Sequence, residues 1–334
     1  MALGEVTAAR SLLKITRATI DESAAVDGAT SFTQCKCVGL RFRVESGGRA
    51  PNVCSKVLGS LSQYVFASAS HDRTLKIWNA QDGTLLKTLS GHARYVQCVA
   101  ALGDDRVVSG SCDGTARVWD CDSGECGHVL RGHSALVTCM SVLSNEQTLV
   151  TGSFDHTLEV WDTLSSKNVG TLLGHADRVW CCVALANDWV VSGSFDCTLR
   201  VWDVEQARCR STLKGHRDRV WCVVALSRCR VASGSLDRTL RVWDCSTGTC
   251  LGVLEGHSRE VRCVVSLKDD VLASSGDDRA IKVWDLASSL CVRTLEHGMS
   301  EKIVRHHRGS KKAPARPRKT IKKPQLYCVC VAPD

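Results

Sequence analysis

Residues 107–126 read VVSGSCDGTARVWDCDSGEC, and residues 231–250 read VASGSLDRTLRVWDCSTGTC. Each stretch holds two short runs rich in β-branched and aromatic residues, separated by an Asp turn and closed by a polar turn after Trp-Asp, which is the pattern of short antiparallel strands. The same beat extends in both directions. Tryptophans stand at Trp78, Trp119, Trp161, Trp202, Trp243 and Trp284, five of them followed by Asp and the first by Asn79. Gly-His pairs begin at Gly91, Gly132, Gly174, Gly215 and Gly256, spaced by 41, 42, 41 and 41 residues. Six units therefore run from about Gly48 to Glu296, a period that marks a repeat architecture. Within one unit the pattern predicts strands at Val137–Val142, Thr148–Ser153, Leu158–Trp161 and Asn168–Leu173.

Four strands make one blade, too small to bury both of its faces, so neighbouring blades must stack. With its Gly-His and Trp-Asp landmarks the sequence resembles the WD-repeat family over about three quarters of its length. The resemblance implies an all-β WD-repeat β-propeller with six clear four-stranded blades and an irregular seventh closed by both chain ends. Gly39–Val44, Lys302–His306 and Leu326–Val331 are the candidate strands of that seventh blade. It lacks Trp-Asp and carries a long basic insertion, so a six-bladed ring with loose ends fits the sequence as well. The resulting division is an N-terminal extension over 1–38, the propeller over 39–306, a basic flexible segment over 307–324 and a short strand or tail over 325–334.

With 44% apolar and 23% charged residues the chain has an ordinary globular balance. It has no run of about 18 apolar residues and no apolar core of a secretory signal near its start, so a soluble cytoplasmic or nuclear protein is expected, with no membrane partner. Most of the 20 cysteines follow the repeat: Cys98, Cys139, Cys181, Cys222 and Cys263 share one position, and Cys209, Cys250 and Cys291 another. Recurrent cysteines read as small apolar residues packed between sheets in a reduced protein. Cys35-x-Cys37 and Cys328-x-Cys330 read the same way, because their spacing is not that of usual zinc ligands. The formal charge is +8, and ten Lys or Arg with no acid lie between Lys302 and Lys323. Removing those ten from the 43 basic residues leaves 33 against 35 acidic ones, so the basic character belongs to that one segment.

Each full unit sets a His, a Ser or Thr, an Asp and a Trp at nearly fixed separations. The sets are His92, Ser109, Asp113, Trp119; His133, Thr151, Asp155, Trp161; and His175, Ser192, Asp196, Trp202. Two more are His216, Ser233, Asp237, Trp243 and His257, Ser274, Asp278, Trp284. A nucleophile, a base and a carboxylate suggest a hydrolytic triad. Five copies in constant phase, an indole that adds no chemistry and the exchange of Ser for Thr151 argue instead for structure. The resemblance implies a buried hydrogen-bond chain from Trp through Ser or Thr and His to Asp. The first unit keeps Ser68, Asp72 and Trp78 but has Arg49 at the His position, which predicts the weakest blade. Neither catalytic motif nor cofactor loop is recognised.

By the same resemblance, partners meet the residues flanking the Val of each first strand and the residue before the tetrad Asp. Those positions hold Phe154, Arg178, Trp180, Phe195, Arg219, Trp221 and Arg262, a concentration of aromatics and arginines typical of binding hot spots. A non-catalytic scaffold that binds proteins or peptides, acidic or phosphorylated ones included, is the expected function, with no small-molecule substrate. The quoted phrases are closest to F-box WD-repeat substrate receptors of ubiquitin ligases, although residues 1–47 are too short and polar for an F-box. A third reading, a nuclear or nucleic-acid-associated scaffold, rests on the segment over 302–323, which has no aromatic residue to stack on bases.

Overall fold

The computed structural model describes residues 55–58, 65–79, 82–103, 105–227, 229–268 and 270–296, the first of these as backbone only. Among them are six four-stranded antiparallel sheets, each built from four strands consecutive in sequence. Blade 3 has Val137–Val142, Thr148–Ser153, Leu158–Asp162 and Lys167–Leu172, within one residue of the expected bounds. Blade 4 has Val179–Ala184, Trp189–Ser194, Thr198–Asp203 and Arg208–Lys214. The first strands of consecutive blades lie side by side from blade 1 to blade 6, so they are the innermost. This is the β-propeller arrangement. Gly39–Val44, Lys302–His306, Leu326–Val331, Arg49, both Cys-x-Cys pairs and the basic segment lie outside the described residues.

The core is a series of layers between blades rather than one centre. Cys139, Val150, Leu158, Val160 and Leu172 of blade 3 pack against Val179, Val190 and Trp202 of blade 4. Blades 4 and 5 meet in the same way through Cys181, Leu199, Val201 and Leu213 against Val220, Val231 and Trp243. The recurrent cysteine has a steric complement. A Cβ added at Gly193 would lie 2.6 Å from Cys181 Sγ, and one at Gly152 would lie 2.6 Å from Cys139 Sγ. The sulfur fills the space that a side chain in the Ser-Gly-Ser strand would occupy, which ties the two positions together. The other recurrent cysteine departs from expectation: Cys209 is half-buried, while Cys250 and Cys291 are exposed on outer strands.

Candidate interaction face

All five predicted tetrads form. The Trp indole N–H donates to the Ser or Thr oxygen at 2.7–2.8 Å. That hydroxyl meets His Nε2 at 2.7–2.9 Å, and His Nδ1 meets the Asp carboxylate at 2.7–2.9 Å. With the indole donating, the hydroxyl gives its proton to Nε2 and Nδ1–H donates to Asp, so every polar atom of the chain is used. The hydroxyl residues Ser109, Thr151, Ser192, Ser233 and Ser274 have no exposed surface, which leaves no approach for an attacked substrate.

The Asp then holds the loop. In blade 4 Asp196 accepts the Ala176 N–H through one oxygen, and the Thr198 N–H and hydroxyl through the other. Burial pushes these carboxyls up, but hydrogen bonds from His, Thr and the backbone outweigh it. Asp113 is held at about 2, and Asp155, Asp196 and Asp237 below the usual carboxylate range. In blade 1 the Trp78–Ser68 bond is kept at 2.8 Å. Asp72 instead pairs with Lys76 at 3.0 Å, its side chain 47% exposed against 6–10% for the tetrad carboxylates.

The tetrad loops set up a face at one end of the propeller. The innermost strand shifts register just after its first Val in blades 4, 5 and 6, so Trp180, Trp221 and Arg262 sit in bulges opposite no paired residue. A bulge re-aims its side chain, and here it brings neighbouring blades together. Trp180 and Trp221 have ring centroids 4.7 Å apart, Trp180 and Phe195 are 5.0 Å apart, and Phe154 lies 5.5 Å from Trp180. Each arginine crosses to the preceding blade: Arg178 stacks over Phe154 at 4.6 Å, Arg219 over Phe195 at 4.6 Å and Arg262 over Trp221 at 4.4 Å.

The seven predicted residues thus form one cluster, but not in equal roles. Trp180 and Phe195 are only 8% and 9% exposed and make a floor. Phe154 and Trp221 are half-buried, and Arg178 and Arg219 are exposed above them. Arg262 is taken up by Asp277, which receives both its Nε at 2.9 Å and an Nη. What the sequence reading missed is the rim. Arg73, Arg94, Arg217, Arg238 and Arg259 are also exposed on these loops, against Asp72, Asp177, Asp218 and Glu260 outside the tetrads and the Arg262 pair. Arg73 and Arg238 hold left-handed backbone, φ 72 and 73, at the turn after the tetrad Asp, where only blade 2 uses Gly114. Reading that one position across all units would have shown the excess.

Among the described residues no group of three or more His, Cys, Asp or Glu could hold a metal ion, and no helix is long and apolar enough to cross a membrane. The family described as WD domain, G-beta repeat matches residues 54–79, 83–120, 124–162, 166–203, 207–244 and 248–285. Those six segments keep the period of the six blades, each after the first opening on the outer strand of the blade before it, and make up well over half of the sequence, so the chain belongs to the WD-repeat family.

Proposed function

We propose that this chain, like WD-repeat proteins in general, is a non-catalytic scaffold that binds other proteins, and that the face around Phe154, Trp180, Phe195 and Trp221 binds an acidic segment of a partner protein that also offers an apolar side chain. The observation that carries the reading is the pair Arg178 and Arg219. Both are exposed and stacked on phenylalanine rings one blade apart, and no carboxylate among the described residues pairs with either. Stacking orients each guanidinium before a ligand arrives, which lowers the ordering cost of binding a carboxylate or phosphate in a bidentate manner. The aromatic floor supplies apolar contact from which water is excluded.

The test is fluorescence anisotropy with acidic peptides that carry an aromatic residue, phosphorylated and unphosphorylated forms side by side. Arg178→Lys and Arg219→Lys keep the charge and lose the planar fork, and each is expected to weaken binding about tenfold, with binding falling further as salt rises. Lysine variants that bind like the parent, or peptides that bind only when basic, would refute the reading. The ubiquitin-ligase role implied by the F-box resemblance would use the same face, and recovery of a cullin adaptor with the intact chain is the result that would single it out.

A further inference from the structure

Blade 5 is built from Val220–Ala225, Arg230–Ser235, Leu240–Asp244 and Thr249–Leu254. At the end away from the exposed arginines it carries a thiol on each of two facing chain segments. Arg230 pairs with Asp244, and one residue farther the Cys245 N–H donates to Cys229 O at 2.9 Å. That bond sets the two residues directly opposite each other, where Cα atoms stand about 5.5 Å apart, within the span that a disulfide bridges. The same register places Asp105 opposite Cys121, Gln147 opposite Thr163, Asp188 opposite Val204 and Asp270 opposite Leu286 in blades 2, 3, 4 and 6. Of these five blades only blade 5 has sulfur on both sides.

The two thiols differ in access. Cys245 is 2% exposed, in the layer that holds Val183, Leu185 and Trp189 of blade 4. Burial pushes its thiol up to about 12, with Cys229 and Asp244 adding to the rise. Cys229 is half-buried in the turn before Arg230, with left-handed backbone of φ 56, as at Asp188 and Asp270. Arg230 holds that turn: its Nε and Nη2 donate to Ser227 O and Oγ at 3.3 Å each, and Nη2 reaches Asp270 of blade 6 at 2.8 Å. The pair is thus fixed before any reaction, one member open to solvent and the other sealed. We propose that Cys229 and Cys245 are a redox-sensitive pair, which a hydroperoxide converts to a disulfide across the base of blade 5.

The accessible Cys229 reacts first. Its thiolate sulfur attacks the peroxide O–O bond, an S–O bond forms, and the other oxygen leaves with a proton as water or an alcohol, giving a sulfenic acid. Cys245 then attacks that sulfur: the S–O bond breaks, the hydroxyl departs with the Cys245 proton as water, and the S–S bond closes. In all, two thiols lose two electrons and one hydroperoxide gains them. The bond encloses residues 230–244, which carry Ser233, Asp237 and Trp243 of the tetrad, and it ties the two middle strands together at the end opposite the tetrad loop. Arg178, Arg219 and the aromatic floor lie at that other end, so the pair acts independently of the function proposed above.

Titration of the intact, reduced chain with hydrogen peroxide tests the pair, with iodoacetamide quenching in denaturant and mass spectrometry without reduction. A linked peptide joining Cys229 to Cys245 is expected as the main product at Cys229, reversed by dithiothreitol. Amide exchange over Arg230–Asp244 is expected to be at least about tenfold slower than in the reduced chain. Cys229→Asp and Cys245→Val install the residue types that blade 4 has at Asp188 and Val204, so both are expected to fold like the parent. In Cys245→Val the slowed exchange is expected to vanish, and sulfinic acid at Cys229 to rise about tenfold for want of a resolving thiol. Four results would overturn the proposal. They are a fate of Cys229 that is the same without the Cys245 thiol, a bond from Cys229 to another cysteine or only between chains, both thiols still free once the exposed Cys250 and Cys291 are oxidised, and a linked peptide without slowed exchange.

Discussion

Blades 3 and 4 share a strand order and a complete tetrad, yet under the Gly-His loop they place opposite charges. In blade 4 Arg200 lies 6.0 Å from the Trp202 ring centroid, with Nη1 3.6 Å from Cys209 Sγ. Blades 2 and 5 repeat this with Arg117 and Arg241, and a Cβ on Gly91, Gly174 or Gly215 would run into the guanidinium. In blade 3 the position is Glu159, with a side chain 9% exposed, and Asn168 stands on the outer strand where blade 4 has Cys209. Glu159 Oε2 is buried without a hydrogen-bond partner, 3.9 Å from His133 Nε2. The scaffold accepts either sign because tetrad geometry is set by strand register and the Asp loop. The electrostatic cost differs: a guanidinium, although its Nε is also buried without a partner, rests against an indole, while a carboxylate beside a second one, Asp155, has only the His133 ring to offset its burial.

Making blade 4 resemble blade 3 is the harshest test. Arg200→Glu exchanges a stacked cation for a buried carboxylate and leaves Cys209 as its neighbour, so a loss of about 3 kcal/mol is expected in denaturant melts. A neutral result would mean that the sign of the charge beneath the loop is immaterial. Next in size are the tetrad carboxylates. Asp196→Ala leaves His175, the Ala176 N–H and two Thr198 donors unmatched and is expected to cost roughly 1–3 kcal/mol. Asp155→Ala in blade 3 should cost measurably less, since it also removes the carboxylate that crowds Glu159 and leaves His133 an acidic neighbour. Equal losses would show that Glu159 does not interact with the tetrad.

What was legible in the sequence follows from repetition. Strand limits in blade 3, the Trp phase and all five tetrads could be read because each position is sampled in several units, so local ambiguity cancels. Depth was less legible than phase. Cys250 and Cys291 recur as regularly as Cys181 but lie on outer strands that face water, which periodicity does not reveal. Trp180 and Trp221 look equivalent in sequence, yet Phe154 and Phe195 flank Trp180 on both sides, whereas Trp221 has Arg262 on its far side. Arg262 was read as available because Asp277, fifteen positions later, meets it only through strand pairing. Glu159 breaks a column of Lys76, Arg117, Arg200, Arg241 and Lys282, so the exception was visible in the sequence, although its burial was not.

The smallest expected effect separates the two carboxylates of blade 3 by their opposite response to pH. Burial raises the Glu159 carboxyl above its ordinary value, with His133 opposing and Asp155 adding to the rise. A carboxyl raised in the folded state binds its proton more tightly there, so Glu159 is harmless below its unfolded value and becomes destabilising as pH climbs toward its raised folded value. Asp155 is held low, and its stabilisation is present above the unfolded value and lost as pH falls toward the folded one. Glu159→Gln removes only the first contribution. It is expected to stabilise the protein by about 1 kcal/mol at neutral pH, with the gain shrinking to nothing in acid below the unfolded Glu value. Arg200→Gln in blade 4 should give no such gain at any pH. A Glu159→Gln gain that stays constant down to pH 3 would show that side-chain shape, rather than the buried charge, separates blade 3 from blade 4.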